Sequence, residues 1–221
     1  MDRKQKLSPD NLLKQFAPKH SDKIVIDPKI TTSQISDALM KLTGKNGVLE
    51  GIKPIDDFKI IGKATTVKTS SNDWGTVIKG IYAAKKEDIL VISCDDDNTA
   101  VWGELASTAA NIQGIVGTVI SGASRDSVGI KNLGYPVFSR NVVPNAGSPL
   151  AEGEINIPLI CGDTTTYPGD LIIGDECGVV SVPDEISSEV LMESQTIVDK
   201  ENKLTAQLNQ SKSFMDLLRI K

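Results

Sequence analysis

Two hydrophobic rhythms alternate along this chain. Ile89 to Cys94 and Ile115 to Ile120 are short β-branched runs of the kind that form buried strands. Between them, Val101 to Ile112 contains no proline, is rich in alanine, and places Leu105, Ala109 and Ile112 at helical spacing, with Gly114 as a stop. Strand, helix and strand in this order predict a right-handed βαβ unit with parallel strands. A helix opens at Thr31-Thr32-Ser33 and buries Ile35, Leu39 and Leu42 before Gly44. A second covers Trp74 to Ala84, with Val77, Ile78, Ile81 and Tyr82 inward and Ser70 to Asp73 as its loop and cap. Phe58 to Val67 reads as a strand or strand pair kinked at Gly62.

After Asp126 a short helix leads through Leu133-Gly134-Tyr135-Pro136 into a strand at Val137. From Glu154 the rhythm becomes short β runs, at Ile155 to Cys161, Leu171 to Ile173 and Val179 to Val182, as in a compact antiparallel or barrel-like layer. Asp170 and Asp175, each after a glycine, read as turn chemistry between these runs. Pro183 to Lys221 is a polar-rich helix pair with Ile186, Val190 and Leu191 inward. Three regions follow: an N-terminal arm over 1–28, an α/β domain over 29–183, and a C-terminal helical extension over 184–221.

The direction of the parallel strands has a chemical consequence. The helix begins near Trp102-Gly103-Glu104, and the loop Ser121 to Asp126 emerges at the same sheet edge. Free N–H groups of a helix start bind anions, and ligands collect at such an edge. Arg125 supplies a fork for a carboxylate and Asp126 a hard oxygen for a divalent ion. The same pair is equally compatible with an ordinary surface ion pair. Asp95-Asp96-Asp97-Asn98 could collect a cation, but capping of the next helix by Asp97 or Asn98 is the simpler expectation.

Composition narrows the classes. With 221 residues, 39% hydrophobic and 24% charged, the chain is that of a water-soluble globular protein. A net charge of −5 argues against direct nucleic-acid binding. No run approaches membrane-spanning length, so a reduced cytoplasm is the expected setting. Cys94, Cys161 and Cys177 lack metal or redox spacing, and Cys94 and Cys161 are expected as buried free thiols. His20 is the single histidine and sits in the polar arm, which removes histidine triads and multi-histidine metal sites. GxGxxG, GxxxxGK[ST] and GxSxG are all missing.

Trp102-Gly103-Glu104-Leu105-Ala106, Gly122-Ala123-Ser124-Arg125-Asp126 and Leu133 to Phe138 resemble the regulator of ribonuclease activity A (RraA-like) family. Ser36 to Leu39, Gly47 to Ile52 and Pro168 to Asp175 carry the same likeness. That family includes class II 4-hydroxy-4-methyl-2-oxoglutarate aldolases that also decarboxylate oxaloacetate. The resemblance implies a three-layer swivelling β/β/α fold, assembled as a homotrimer or a dimer of trimers. It implies that Arg125 and the backbone of Gly103, Glu104, Leu105 and Ala106 hold a pyruvyl carboxylate, and that Asp126 ligates Mg²⁺ or Mn²⁺. Arg125 and Asp126 would then be the catalytic pair for a small 2-oxo acid. A non-catalytic role, binding and regulating a ribonuclease, is the alternative that the family name implies.

This chain departs from the aldolase pattern in three places. Ser127 to Ile130 lack the acidic residue that follows the Arg-Asp pair in those enzymes; Ser121 and Cys177 replace aspartates. The acid/base carboxylate is implied to come from a neighbouring subunit's C-terminal helix, where Glu201 and Asp199 are the counterparts.

Overall fold

Four parallel strands form the spine of this protein, and their shared carboxyl edge is where its charged loops gather. The computed structural model describes residues 27, 29–210 and 213–220. The expected arm over 1–28, with His20, falls almost wholly outside these residues. In chain order the first half comprises α1 (Thr32–Thr43), β1 (Lys53–Pro54), β2 (Ile60–Lys68), α2 (Gly75–Ala83) and β3 (Ile89–Ser93). Then come β4 (Ala100–Trp102), α3 (Glu104–Gln113), β5 (Gly117–Ser124), α4 (Ser127–Leu133) and β6 (Val137–Val142). The last part holds β7 (Glu154–Ile155), β8 (Leu159–Cys161), β9 (Thr164–Thr166), β10 (Leu171–Asp175), β11 (Gly178–Val182), α5 (Ser187–Leu208) and α6 (Phe214–Leu218).

The main sheet runs β1-β6-β5-β3-β2-β10-β11, with β4 added on β5 and β7 on β2. Strands β2, β3, β5 and β6 are mutually parallel, in a register that sets Ile89 opposite Gly117 and Ile92 opposite Ile120. β10 and β11 continue the sheet antiparallel, and β8–β9 is a separate hairpin.

Three apolar clusters explain the layering. One lies between the parallel strands and helices α2 to α4, around Val77, Leu90, Ile92, Ala110 and Ile120. A second fills the opposite face between those strands and the β8 to β11 layer, around Ile60, Val119, Phe138, Leu159 and Val179. The third packs α1 and α5 on the outside of β10 and β11. Every residue of β5 is buried, because both of its faces are covered. This is the expected α/β architecture, with a near-barrel sheet and a C-terminal helix.

α5 runs antiparallel along α1, with Lys41 Nζ 2.6 Å from Glu193 and Gln34 Nε2 donating to Glu201 at 2.8 Å. Gln34 also closes the first turn of α1 by accepting from Thr31 N–H at 2.9 Å. Among the described residues no helix is long and apolar enough to cross a membrane.

Several local expectations need correction. Ala100 to Trp102 is a strand, so the central helix starts only at Glu104 and has Gly103, not Asp97 or Asn98, as its N-cap. Ser121 to Ser124 extends β5 rather than forming a loop, because β4 supplies a partner there, with Ala100 opposite Ala123 and Trp102 opposite Ser124. Leu42, Tyr82, Leu105 and Ile112 are exposed, not inward. α3 buries Ala106, Ser107 and Ala110 instead, because small residues let the helix approach the sheet closely.

β2 is one continuous strand; at Gly62 a Cβ would stand 2.7 Å from the Glu87 carbonyl, so this position admits only glycine against the neighbouring turn. Asp175 ends β10 as a buried residue and, as expected, shapes the turn into β11 by accepting from Cys177 N–H at 2.9 Å. It accepts from Thr32 N–H and Oγ1, both at 2.7 Å, and ties α1 to the sheet.

Candidate functional site at the strand rim

Trp102 fixes where the site begins. Its ring stacks on Tyr135 with centroids 6.4 Å apart, and its indole N–H donates to Ser107 Oγ at 2.7 Å. Tyr135 is held in turn by Thr118 at 3.0 Å, and burial pushes its phenol above the ordinary range. Because Trp102 is immobilised, Gly103 starts α3 at a defined point on the rim. The Trp102 carbonyl then accepts from Arg125 N–H at 2.9 Å, which ties the end of β4 to the residue just beyond β5. Ser124 Oγ meets Ser139 Oγ at 2.9 Å and fastens the same end of β5 to β6.

Arg125 and Asp126 therefore arrive beside the start of α3. Asp126 Oδ2 accepts from Arg125 Nε at 3.2 Å and from Glu104 N–H at 3.4 Å. Asp126 has φ 58°, a left-handed conformation that turns the chain sharply from β5 into α4. Asp and Asn tolerate this backbone better than other side chains do. The N–H groups of Leu105 and Ala106 and the two terminal guanidinium nitrogens of Arg125 have no hydrogen-bond partner among the described residues. The edge thus offers free donors from a helix start and from a guanidinium fork. Arg125, Asp126 and the backbone of Gly103 to Ala106 are brought together in space.

The two glycines of the site are contact residues. A Cβ on Gly103 would lie 2.5 Å from Asp126 Oδ2 and 3.2 Å from Arg125 Cγ. A Cβ on Gly129 would overlap the Glu104 carboxylate and come within 2.9 Å of Glu104 Cγ. Sequence reasoning assigned only the backbone of Glu104 to the site. Its side chain lies over α4, and the signal for that was the missing side chain at Gly129.

The donor set bears on the metal. Among the described residues no group of three or more His, Cys, Asp or Glu side chains could hold an ion as a cage. Asp126 Oδ1 has no partner among those residues and presents one hard carboxylate oxygen. A single carboxylate beside open solvent suits an ion that keeps most of its waters, as Mg²⁺ and Mn²⁺ do.

Asp95, Asp96 and Asp170 serve the fold, whereas Asp199 and Glu201 are exposed on α5, their carboxylates each bonded to a single neighbour among the described residues. Asp95 accepts from Ser71 N–H at 2.6 Å, which holds its carboxyl below the usual range, and Asp96 accepts from Asn98 N–H at 2.9 Å. Asp199 accepts from Gln195 at 3.1 Å on its own helix, and Glu201 is engaged by Gln34. Asp170 accepts from Tyr167 N–H at 2.7 Å and Asp184 N–H at 3.2 Å, while burial raises its carboxyl above the ordinary range.

Asp73, read from the sequence as part of a loop and cap, is a hub. It accepts from Gly75 N–H, Thr76 N–H and Oγ1, Ala151 N–H and Glu152 N–H. Burial pulls its pKa up, but these hydrogen bonds outweigh burial and hold the carboxyl far below the usual range.

The family model described as RraA-like, Aldolase/RraA, matches residues 32–181. The chain belongs to the RraA-like family. Among its relatives, an uncharacterized protein of Methanocaldococcus jannaschii is 44% identical, over 78% of this chain and 85% of its own length. A Halalkalibacterium halodurans protein, provisionally named a 4-hydroxy-4-methyl-2-oxoglutarate aldolase, is 36% identical over 75% of this chain and 79% of its own. A solved structure from Streptomyces coelicolor, described as an unusual member of the RNase ES inhibitor RraA protein family, shares the fold. Its TM-score is 0.68 at 20% identity, over 83% of this RraA-like chain and 100% of that one.

Proposed function

We propose that this RraA-like protein is a divalent-metal-dependent carbon–carbon lyase acting on a small 2-oxo acid. The substrate is of the oxaloacetate or 4-hydroxy-4-methyl-2-oxoglutarate type. The observation that carries the reading is the convergence of Arg125, Asp126 and the free N–H groups of α3 on one rim. The provisional aldolase name of a relative 36% identical supports the same class.

The residues have separable tasks. Arg125 would hold the substrate carboxylate with its two terminal nitrogens, and the Leu105 and Ala106 N–H groups would complete the anion cradle. When the bond β to the keto group breaks, its electron pair stays on the pyruvyl unit and the negative charge concentrates on the keto oxygen. A bound Mg²⁺ or Mn²⁺ would supply the compensating positive charge there. Asp126 would hold that ion, and Arg125 Nε fixes the orientation of Asp126. Release of CO₂ from oxaloacetate asks the protein only for this charge compensation and for a proton at the new carbanion. An aldol substrate also requires a base for its hydroxyl proton. We assign that task to a carboxylate of a neighbouring copy in a homotrimer or dimer of trimers, with Glu201 and Asp199 as candidates.

The test is pyruvate release from oxaloacetate and from 4-hydroxy-4-methyl-2-oxoglutarate with Mg²⁺ or Mn²⁺, before and after EDTA. Metal-dependent release supports the lyase. Absence of turnover on both substrates, together with stoichiometric capture of a purified ribonuclease, replaces it with the regulator reading.

A further inference from the structure

β5 does not meet its neighbours in a continuous ladder. Beside β6 it advances from Ile120 to Ala123 while β6 advances only from Ser139 to Asn141, so β5 carries an extra residue there. Beside β4 the irregularity recurs, with β4 advancing from Ala100 to Trp102 while β5 moves only from Ala123 to Ser124. Both breaks fall just before the rim pair. A bulge bends its strand and re-aims the side chains beyond it. Regular pairing therefore does not set the direction in which β5 delivers Arg125 and Asp126.

Two hydroxyls take over at this point. Ser124 and Ser139 are buried, and their Oγ atoms are 2.9 Å apart. Ser139 Oγ donates its one hydrogen to the Asn141 carbonyl at 3.1 Å, so the hydrogen between the two serines comes from Ser124. The other acceptor within reach of Ser124 Oγ is the same Asn141 carbonyl, at 3.5 Å. Ser139 precedes the bulge on β6, whereas Ser124 and Asn141 follow it, so the chain of hydroxyls spans the break. The extra residue sets Ser124 opposite Val142; an unbroken ladder would set it opposite Val143, one step further from Ser139. The Ser124 carbonyl is held as well, by Val143 N–H at 2.9 Å.

We propose that Ser124 and Ser139 are a positioning pair, a staple across the bulge that aims Arg125 and Asp126 at the start of α3. Alanine at either position keeps the strands and the core but frees the bulge to shift. The consequence for substrate binding rests on reading the rim as a keto-acid site.

The test compares the full chain as wild type, Ser124→Ala, Ser139→Ala and the double variant. Steady-state pyruvate release from oxaloacetate with Mn²⁺ is measured beside amide hydrogen exchange, read over residues 121–126 and over the core strand Ile89–Ser93. Each single variant should raise KM about fivefold, the scale of one lost neutral hydrogen bond, with a smaller change in kcat. The double variant should be no worse than Ser139→Ala, because both changes remove the same bond. Exchange over 121–126 should quicken about fivefold, again the scale of one bond, while Ile89–Ser93 stays as it was. A role in folding alone would quicken both segments and leave KM of the folded protein unmoved.

Where the wild type releases pyruvate, an unchanged KM in both single variants, or increases that add in the double variant, overturns the staple and leaves the lyase standing. Where the wild type releases none, exchange decides. Quickening confined to 121–126 keeps the staple and removes the lyase. Exchange that is unchanged, or quickened in both segments, removes both.

Discussion

Asp126 Oδ2 occupies space that a side chain on Gly103 would need, 2.5 Å from the ideal Cβ position. The contact is made between residues distant in the chain by the meeting of β4 and β5. Gly103→Ala should therefore push Asp126 and Arg125 off the rim while leaving the buried core untouched. Metal-dependent pyruvate release should fall about a hundredfold, the usual effect of a misplacement near 1 Å. Steady-state kinetics beside a circular dichroism melt would show the loss without unfolding.

Arg125→Lys keeps the charge but loses the planar fork. KM for oxaloacetate should rise about tenfold, with a smaller change in kcat, as expected for one lost charge-assisted hydrogen bond. An unchanged KM would mean that the guanidinium does not hold the substrate.

Asp126→Asn should keep the left-handed turn into α4, since Asn tolerates that backbone, and still lose metal affinity and turnover together. Asp126→Ala should in addition lose about 1 kcal/mol of folding stability from the backbone alone. Urea unfolding separates the two variants, and isothermal titration with Mn²⁺ reads the metal.

Asp73 makes a prediction about pH. Its carboxyl is held far below the ordinary range in the folded protein. Its stabilisation is therefore complete above the unfolded-state value of about 4 and fades as the pH drops through that value toward the folded one. Asp73→Asn should cost about 3 kcal/mol at pH 7, because several buried N–H and O–H donors lose a charged acceptor. The gap between wild type and variant should narrow on going to pH 3, as measured by urea melts at each pH.

Thiol reactivity should divide the cysteines by environment. Burial, aided by Asp95 and Asp96, pushes the Cys94 thiol up to about 12, and Cys161 is buried, whereas Cys177 is exposed. Brief alkylation of the native protein followed by peptide mass spectrometry should label Cys177 alone, with the other two reacting only after denaturation.

The βαβ unit was legible because its signals are local. Ile89 to Ile92 and Ile115 to Ile120 are apolar, largely β-branched runs of strand length, Gly114 takes the left-handed cap, and parallel pairing brings both strand ends to one rim. That reasoning was enough to bring Arg125 and Asp126 to the start of α3. It did not locate β4, because three residues of strand are recognisable only through pairing with β5.

Periodicity also misjudged the buried face of α3. Leu105 and Ile112 form one stripe and Ala106 and Ala110 another, and the sheet accepted the smaller pair, leaving Leu105 87% exposed. Spacing along a helix defines its stripes, but close approach to a neighbouring layer selects among them.

The sequence alone thus determined the order of the longer helices and strands, the direction of the central strands and the identity of the rim pair, all set by short-range backbone preference and chain connectivity. Tertiary structure decided the rest. Asp73 gathers donors from residues 151 and 152, and Glu104 rests on Gly129, because both depend on which side chains share a volume once distant segments have packed. Shared volume is a property of the folded layers, and no linear pattern encodes it.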